Sequence, residues 1–391
     1  MTNALLGVIY LTFVSLGLPD GLLGAAWPAM HEGIGASVSL AGVISVVICL
    51  GTIVSSLLTD RLVRRMGTGR LTAASVALTA IALFGFSTCT AFWQLLLWSI
   101  PYGLGAGAVD AALNAYVATH YAARHMNWLH CCWGIGAAGG PVVMSWQMAS
   151  AAGWPGGYRV VGILQVALVA ALFLSLPLWH DRASAAGRGE KHVARSRREL
   201  VSLPGVKLAM AGFLCYCALE SSCGLWASTF LVLGHGVSAQ AAALLASLFY
   251  AGITVGRFFS GVLTLRLNGQ QLLRLGEAII AVGLVTLILS PTELGLGVGL
   301  ALVGLGCAPI YPQMIQLTPE RFGSENAQPL MGLQMACAYV GSMAFPPLMG
   351  LLVEKVSPLL LPVAAVGLLV LMTFCLTSCD HRAAEARKAA R

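Results

Sequence analysis

The chain has 391 residues, of which 58% are hydrophobic and only 9% are charged, with a formal net charge of +7. Soluble domains carry roughly 25% charged residues, so this composition excludes a water-soluble domain and with it a soluble enzyme. Apolar runs near the roughly 20 residues that cross a bilayer recur along the whole chain. We therefore expect an all-α integral membrane protein that contacts lipid over most of its surface.

The apolar runs predict twelve membrane-spanning helices, here called spans 1 to 12. They cover residues 4–30, 37–58, 69–88, 92–117, 128–150, 159–180, 205–232, 238–264, 272–290, 294–317, 328–352 and 358–379. Because one long polar interval follows span 6, we expect two six-helix bundles joined by a linker and followed by a tail. Their predicted ranges are 1–180 and 205–380 for the bundles, 181–204 for the linker and 381–391 for the tail. Span 1 has no basic leader or small-residue cleavage site, so we expect it to be a retained helix.

The basic residues predict the orientation, because Lys and Arg concentrate in cytoplasmic loops. With the N-terminus placed in the cytoplasm, all but three of the 22 Lys and Arg residues lie in inner loops or in the C-terminal tail. The exceptions are Arg159 and Lys355 outside and Arg257 within span 8. Both termini are therefore expected in the cytoplasm. The positive net charge reflects this topology, and we expect no nucleic-acid partner.

Span 1 contains a carboxylate, Asp20, between Pro19 and Gly21. A charge at the centre of a bilayer costs about 2.5–3.5 kcal/mol on insertion scales, so such a residue usually has a function. A carboxyl group that binds a proton on one side and releases it on the other can couple transport to a proton gradient. We interpret Asp20 as a proton carrier; the alternative is a hydrogen-bonded residue that stabilises a helix break.

A charged cluster follows span 2 and consists of Asp60, Arg61, Arg64 and Arg65. A charge pair between the cytoplasmic ends of spans 2 and 11 can stabilise one conformation and break in another. We interpret these four residues as a conformational latch that carries no information about a solute.

Span 4 contains Asp110 and Asn114, which share one helix face because they are four residues apart. Lipid would penalise both, so we expect this face to point inward. His130, at the start of span 5, lies at a similar depth, and a pair between Asp110 and His130 would form a proton relay. The alternative is a static salt bridge.

The two halves of the chain resemble each other at a spacing of 200 residues. The aligned pairs are Asp20 with Glu220 and Gly24 with Gly224, while Trp27 is one residue out of step with Trp226. Two six-helix repeats in parallel orientation place a solute site near the bilayer midplane between the halves.

The second half supplies candidates for binding a solute. Glu220 can accept hydrogen bonds from sugar hydroxyl groups and Trp226 can stack on a sugar face; alternatively, Glu220 forms an interhelical bond. Tyr311 and Gln334 offer neutral donors and acceptors, although such residues singly more often join helices. Arg257 is interpreted as a structural residue that pairs with an inner-loop acid or extends toward the membrane surface.

The sequence shows no sign of a metal or cofactor. Its eleven cysteines fall almost wholly in apolar runs and have no paired C-x-x-C spacing. We interpret them as small apolar residues at helix contacts. There is also no G-x-x-x-x-G-K-[ST] loop for a nucleotide. We therefore expect a protein that is not an enzyme and needs no cofactor.

Four stretches resemble the major facilitator superfamily: 57–65, 110–114, 126–141 and 304–312. The first departs from the family pattern, which has glycines at the positions of Ser56 and Val63. The last three resemble the fucose-permease-like group of sugar:proton symporters. The resemblance implies a proton-coupled, monomeric transporter of the bacterial inner membrane, with Asp20 and Asp110 as its carboxylates. It also implies that Asn127 and His130 in span 5 and Gln334 in span 11 line the cavity.

We therefore expect a proton-coupled transporter of a small polar solute, a sugar, with Asp20, Asp110 and His130 coupling the proton. The expected solute site comprises Asn114, Asn127, Glu220, Trp226, Tyr311 and Gln334. One alternative is a proton antiporter that exports a drug-like or amphiphilic metabolite, whose cavity would be dominated by Trp, Phe and Met. A second alternative is a non-transporting receptor or scaffold with a transporter fold.

Overall fold

A computed structural model describes residues 3–121, 123–179 and 197–389. Within these ranges all regular elements are helical. The α-helices are α1 (Asn3–Gly17), α2 (Leu22–Gly33), α3 (Leu40–Met66), α4 (Thr68–Phe86), α5 (Phe92–His120), α6 (Ala123–Met148), α7 (Gly153–Ser175), α8 (Arg197–Ser202), α9 (Val206–Thr229), α10 (Ala239–Leu263), α11 (Gly269–Leu289), α12 (Glu293–Phe322), α13 (Ser324–Lys355) and α14 (Leu360–Ala389). A 3₁₀ turn, Leu176–Leu178, follows α7, and a π-helical segment, Phe230–Gly234, extends α9.

The predicted all-α membrane fold is confirmed. Each predicted span corresponds to one of these helices, except that span 1 is divided between α1 and α2. In the described part of the chain, eleven helical segments are long and apolar enough to cross a membrane. The remaining span, α6, has 26 residues but is less apolar, because glycines replace aliphatic side chains. Two of these lie directly against backbone carbonyls of span 1, Gly136 against Val14 of α1 and Gly140 against Leu18 just after it, so a larger residue would separate the two spans.

Span 1 breaks at residues 18–21 because of its local sequence. Pro19 has no backbone N–H, and Gly21 has a low helix propensity. Two hydrogen bonds between residues three apart form the turn, Asp20 N to Gly17 O at 3.0 Å and Leu22 N to Pro19 O at 3.1 Å. The break leaves the side chain of Asp20 outside a regular helix.

The helices pack in two groups, α1–α7 and α9–α14, which meet through α2 with α9, α3 with α13 and α6 with α10. At one end of the bundle, the Glu354 carboxylate of α13 accepts hydrogen bonds from Ser37 Oγ (2.5 Å) and Ser39 N (2.8 Å). Ser145 Oγ of α6 also donates to Gln240 O at the start of α10 (2.8 Å). We call this the Ser37 end, and the opposite end, which carries Asp60, the Asp60 end. The two groups are therefore joined at the Ser37 end.

Most of the predicted linker, residues 180–196, lies outside the described residues. Its last part forms α8, whose Leu200 is buried with Val206 and Leu330. This part of the linker therefore packs onto the second group of helices.

Candidate functional site

Asp20 lies between two donors at the break in span 1. Tyr102 Oη of α5 donates to its Oδ1 (3.1 Å) and Trp133 Nε1 of α6 donates to its Oδ2 (2.7 Å). The residue nevertheless retains substantial solvent exposure. A carboxyl group that is held by two donors and still reachable by water can exchange a proton with a cavity.

The break that exposes Asp20 is supported by α7. Pro19 cannot donate to the carbonyl of Ser15 four residues earlier, and a buried carbonyl left unpaired would cost free energy. Gln165 Nε2 supplies the missing donor to Ser15 O (3.1 Å). Gln165 is itself fixed, because its Oε1 accepts from Thr79 Oγ1 (2.8 Å). The N-terminal group therefore stabilises the irregular backbone around Asp20.

The second group of helices reaches the Asp20 site through Arg257 of α10. Its guanidinium carbon lies 5.0 Å from the ring centroid of Trp133, within the range of a cation–π interaction. Since Trp133 also donates to Asp20, the indole links a carboxylate of one group to a cation of the other. Among the described residues Arg257 forms no ion pair with an acid, so the expected pairing with an inner-loop acid is not formed in this conformation.

Asp110 and Asn114 share a face of α5, as predicted. Asn114 Nδ2 donates to Asp110 Oδ1 (2.9 Å), and both residues keep partial exposure. Asp110 is close enough to Asp20 for the two charges to interact. In the described part of the chain no hydrogen bond connects Asp110 with His130. The imidazole of His130 packs edge-on against Phe13, with ring centroids 6.0 Å apart, so the expected direct relay is not formed in this conformation.

Glu220 and Tyr311 lie in one region of the second group. Glu220 is partly exposed on α9 and lies in the electrostatic field of Arg257. Tyr311 of α12 is also partly exposed and packs 5.1 Å from Phe213 and 6.4 Å from Tyr216, measured between ring centroids. Their polar atoms can therefore face a solute from the side opposite Asp20.

Two predicted solute residues are fully buried. Trp226 has 0% exposure and donates its indole N–H to Pro346 O (2.8 Å). Gln334 also has 0% exposure; its Oε1 accepts from Thr318 Oγ1 (3.0 Å) and its Nε2 donates to Met314 O (3.4 Å). Because neither side chain reaches the cavity, both join helices in this conformation and cannot contact a solute. The side chain of Asn127 lies outside the described residues.

The predicted latch is formed within one helix. Asp60 pairs with Arg64 one turn away on α3, and both side chains are mostly exposed. Among the described residues neither Asp60 nor Arg61, Arg64 and Arg65 forms an ion pair with α13. The expected charge pair between the ends of spans 2 and 11 is therefore not formed among the described residues in this conformation.

Sequence reasoning missed Tyr102, Trp133 and Gln165. Pro19 was the available signal for Gln165, because a proline inside a span always frees a carbonyl that some donor must satisfy. Tyr102 and Trp133 carry no comparable signal, since aromatic residues are common in every span. In the described ranges no three His, Cys, Asp or Glu residues are grouped as metal ligands.

Two groups of membrane helices with charged side chains near their meeting surface form the architecture of a secondary transporter. The family model of the Major Facilitator Superfamily matches residues 9–328 and 208–391. The chain belongs to the Major Facilitator Superfamily, and it is a membrane transporter rather than an enzyme.

One named sequence relative and two solved structures of similar fold resemble this chain. The membrane protein MosC of Rhizobium meliloti is 25% identical over 369 residues, which cover 90% of this chain and 86% of MosC. A bacterial homologue of the human lysosomal transporter Spinster, inward-facing and unoccupied, is 14% identical with a TM-score of 0.71, covering 97% of this chain and 95% of that chain. A variant of the nucleoside transporter NupG is 14% identical with a TM-score of 0.74, covering 96% of this chain and all (100%) of that chain. At these identities the two structures show a shared fold and do not identify a solute.

Proposed function

We propose that the protein is a proton-coupled transporter of a small hydroxylated solute, a sugar, that works by alternating access. The observation that carries this proposal is the site of Asp20. A water-accessible carboxylate is held at a helix break and is linked through one indole to a cation of the opposite group. Movement of the two groups would change the surroundings of Asp20, and a group whose surroundings change can bind a proton in one state and release it in the other.

The exposure pattern supports a cavity that opens at the Asp60 end. Asp20, Glu220 and Arg257 are accessible to solvent. Toward the Ser37 end, the next large side chains of both groups, Trp27 and Trp226, are 0% exposed. This pattern supports access of solvent to the site from the Asp60 end. The distribution of Lys and Arg places that end in the cytoplasm, so we assign this conformation as inward-facing.

The chemistry of the accessible side chains supports a sugar over an amphiphile. Asp110, Asn114, Glu220 and Tyr311 present oxygen and nitrogen atoms that can bond to hydroxyl groups, and each is partly exposed. An exporter of amphiphiles would need a cavity dominated by large apolar side chains. The polar character of these positions matches a solute that carries its own hydrogen-bonding groups.

The test has two stages. A thermal-shift screen of sugars, nucleosides, amino acids and drugs on the purified protein would identify a solute. Uptake of that solute into proteoliposomes would then be measured with an imposed proton gradient. We expect accumulation above the external concentration, abolished by a protonophore. Expulsion of the solute by the same gradient would favour an antiporter, and binding without movement would contradict a transporter.

A further inference from the structure

Arg257 forms no direct ion pair with a described carboxylate, although Glu220 lies within its electrostatic field. It lies in α10, six residues before the helix ends at Leu263, and is only partly exposed. Among the described residues no carboxylate oxygen lies within 4.0 Å of its nitrogens. By contrast, Arg274 and Arg321 of the same group both pair with Asp380. Arg257 therefore differs from these two arginines, because it lies near the meeting surface without a carboxylate partner within 4.0 Å.

The contacts of Arg257 hold its guanidinium in place without neutralising it. The ring of Trp133 lies 5.0 Å from the guanidinium carbon. A cation–π contact fixes the orientation of an arginine but leaves its N–H donors free to bind an anion. On the same face of α10, Thr254 lies against Gly134 of α6. The guanidinium is therefore directed to the meeting surface of the two groups, where a solute would bind.

A partly desolvated cation without an ion pair is unfavourable unless an anion completes the site. The planar guanidinium matches a carboxylate, which it can bind through two parallel hydrogen bonds. The nearby polar groups, Glu220 and Tyr311, suit hydroxyl groups rather than a second anionic group. The site as a whole therefore fits a molecule with one carboxylate and several hydroxyls.

We infer that Arg257 binds the carboxylate of the solute, and that the solute is a sugar acid, such as a uronate or an aldonate, rather than a neutral sugar. This inference rests on the proposed function, since it names the solute class of the same site. Arg257 is a specificity-determining residue in this account.

The arrangement also gives a physical reason for coupling. A solute carboxylate bound to Arg257 would lie near the Trp133 indole, whose Nε1 donates to Asp20 at 2.7 Å. The negative charges of the solute carboxylate and of Asp20 would repel each other at such a short distance in a site of low dielectric constant. Protonation of Asp20 removes this repulsion, so the anion and the proton each favour the binding of the other. A neutral sugar would lack this coupling.

The test compares sugars with their acids on the purified full-length protein. Equilibrium binding is measured for galactose with galacturonate, and for glucose with glucuronate and gluconate. We expect at least one acid to bind at least tenfold more tightly than its neutral partner. Arg257→Gln should reduce that preference to about onefold, and Arg257→Lys should retain part of it, because the charge remains without the planar fork. Arg266→Gln is the matched control, since Arg266 is exposed beyond the end of α10, and should leave the preference unchanged.

Each other outcome is decisive. If only neutral sugars bind to the wild type, the inference is wrong and the proposed function stands. If the acid is preferred but Arg257→Gln and Arg257→Lys both retain the full preference, Arg257 is not its binding residue and the inference is again wrong. If no sugar and no acid binds, both the inference and the proposed sugar specificity fail. A loss of acid binding supports the inference only when the variant still binds the neutral sugar as the wild type does, because that binding shows that the site is folded. If binding of the neutral sugar is too weak to measure, Arg257→Lys must still bind the acid. Equal loss of neutral and acid binding contradicts a specific role for Arg257.

Discussion

The two halves of the transporter share their packing but differ in their chemistry. Trp27 and Trp226 occupy nearly equivalent places, are both 0% exposed, and donate to backbone carbonyls at 2.7 Å and 2.8 Å. The aligned acids do not behave alike. Asp20 sits at a helix break and is held by two side-chain donors, whereas Glu220 lies within the continuous helix α9.

This difference follows from the two residues that flank each acid. Asp20 is flanked by Pro19 and Gly21, which interrupt the helix, while Glu220 is flanked by Leu219 and Ser221, which do not. The two repeats therefore share the buried tryptophans that pack the helices together, whereas the surroundings of their aligned acids differ. We assign proton binding to the first half and solute binding chiefly to the second.

The largest expected effect tests the shared packing. Trp27→Ala and Trp226→Ala should each destabilise the protein by about 3 kcal/mol, because truncating a fully buried tryptophan leaves a cavity. Thermal unfolding of the purified protein would measure this loss. Tyr311→Phe serves as the control, since it keeps the ring volume. If Trp226→Ala unfolded like the wild type but lost solute binding, Trp226 would be a solute residue and its burial here would describe one state only.

The next effect concerns a close backbone contact between the two halves. A Cβ atom on Gly24 would lie 2.7 Å from the backbone oxygens of Gly224 and Leu225, which cannot move aside. Gly24→Ala should therefore prevent closure at the Ser37 end and reduce transport at least tenfold. A Cβ on Gly224 instead meets the Tyr250 hydroxyl at 2.7 Å, and that flexible side chain can shift. Gly224→Ala should be milder, and Gly7→Ala, with no atom within 4 Å, should be neutral.

Accessibility labelling of a cysteine at Ser37 would follow this closure. We expect the Gly24→Ala variant to label faster than the Gly7→Ala variant, in a background free of reactive native cysteines. Equal labelling together with equal transport would show that the contact between Gly24 and Gly224 does not limit closure.

A moderate effect separates the two acids. Glu220→Gln should weaken solute affinity roughly tenfold, about 1.4 kcal/mol, because an amide accepts hydrogen bonds from hydroxyl groups less strongly than a carboxylate. Accumulation driven by a proton gradient should persist at saturating solute. The measurement is equilibrium binding beside gradient-driven uptake. Loss of accumulation with unchanged affinity would reverse the roles assigned to Asp20 and Glu220.

The smallest effect concerns the charged cluster at the Asp60 end. Asp60→Asn should change solute affinity less than twofold, because the exposed pair with Arg64 lies away from the site and is screened by solvent. It should slow transport if Asp60 bonds across the halves in the other conformation. Binding and initial uptake rates would be compared with those of Glu320→Gln, a control at the same end of the second half. An equal loss of binding and transport would contradict a latch.

The fold was largely predictable from the sequence, and the site only in part. Hydropathy shows which segments can cross the membrane as helices, and each predicted span corresponds to a helix or to the α1–α2 pair. The polar residues Asp20, Asp110 and Asn114 were also identifiable, because polar groups inside spans are costly. The burial of Trp226 and Gln334 in this conformation was not predictable, because sequence does not show which face of an apolar helix packs against another helix.

Contacts between helices that are far apart in the chain could not be predicted. The indole of Trp133 reaches both Asp20 and Arg257, and these residues come from three helices of two halves. Their meeting depends on how closely α6 approaches α1, which glycines at 136 and 140 permit. Nothing in the local sequence around Arg257 distinguishes a cavity-facing cation from one that pairs at the membrane surface.

The central claim is that Asp20 carries the coupled proton. It is tested most directly by measuring proton movement with a pH-sensitive dye when solute is added to proteoliposomes. Wild-type protein should move protons with the solute. Asp20→Asn should move none, because an amide does not titrate, while solute counterflow, which needs no net proton movement, should persist. Proton movement by Asp20→Asn equal to that of the wild type would contradict the account.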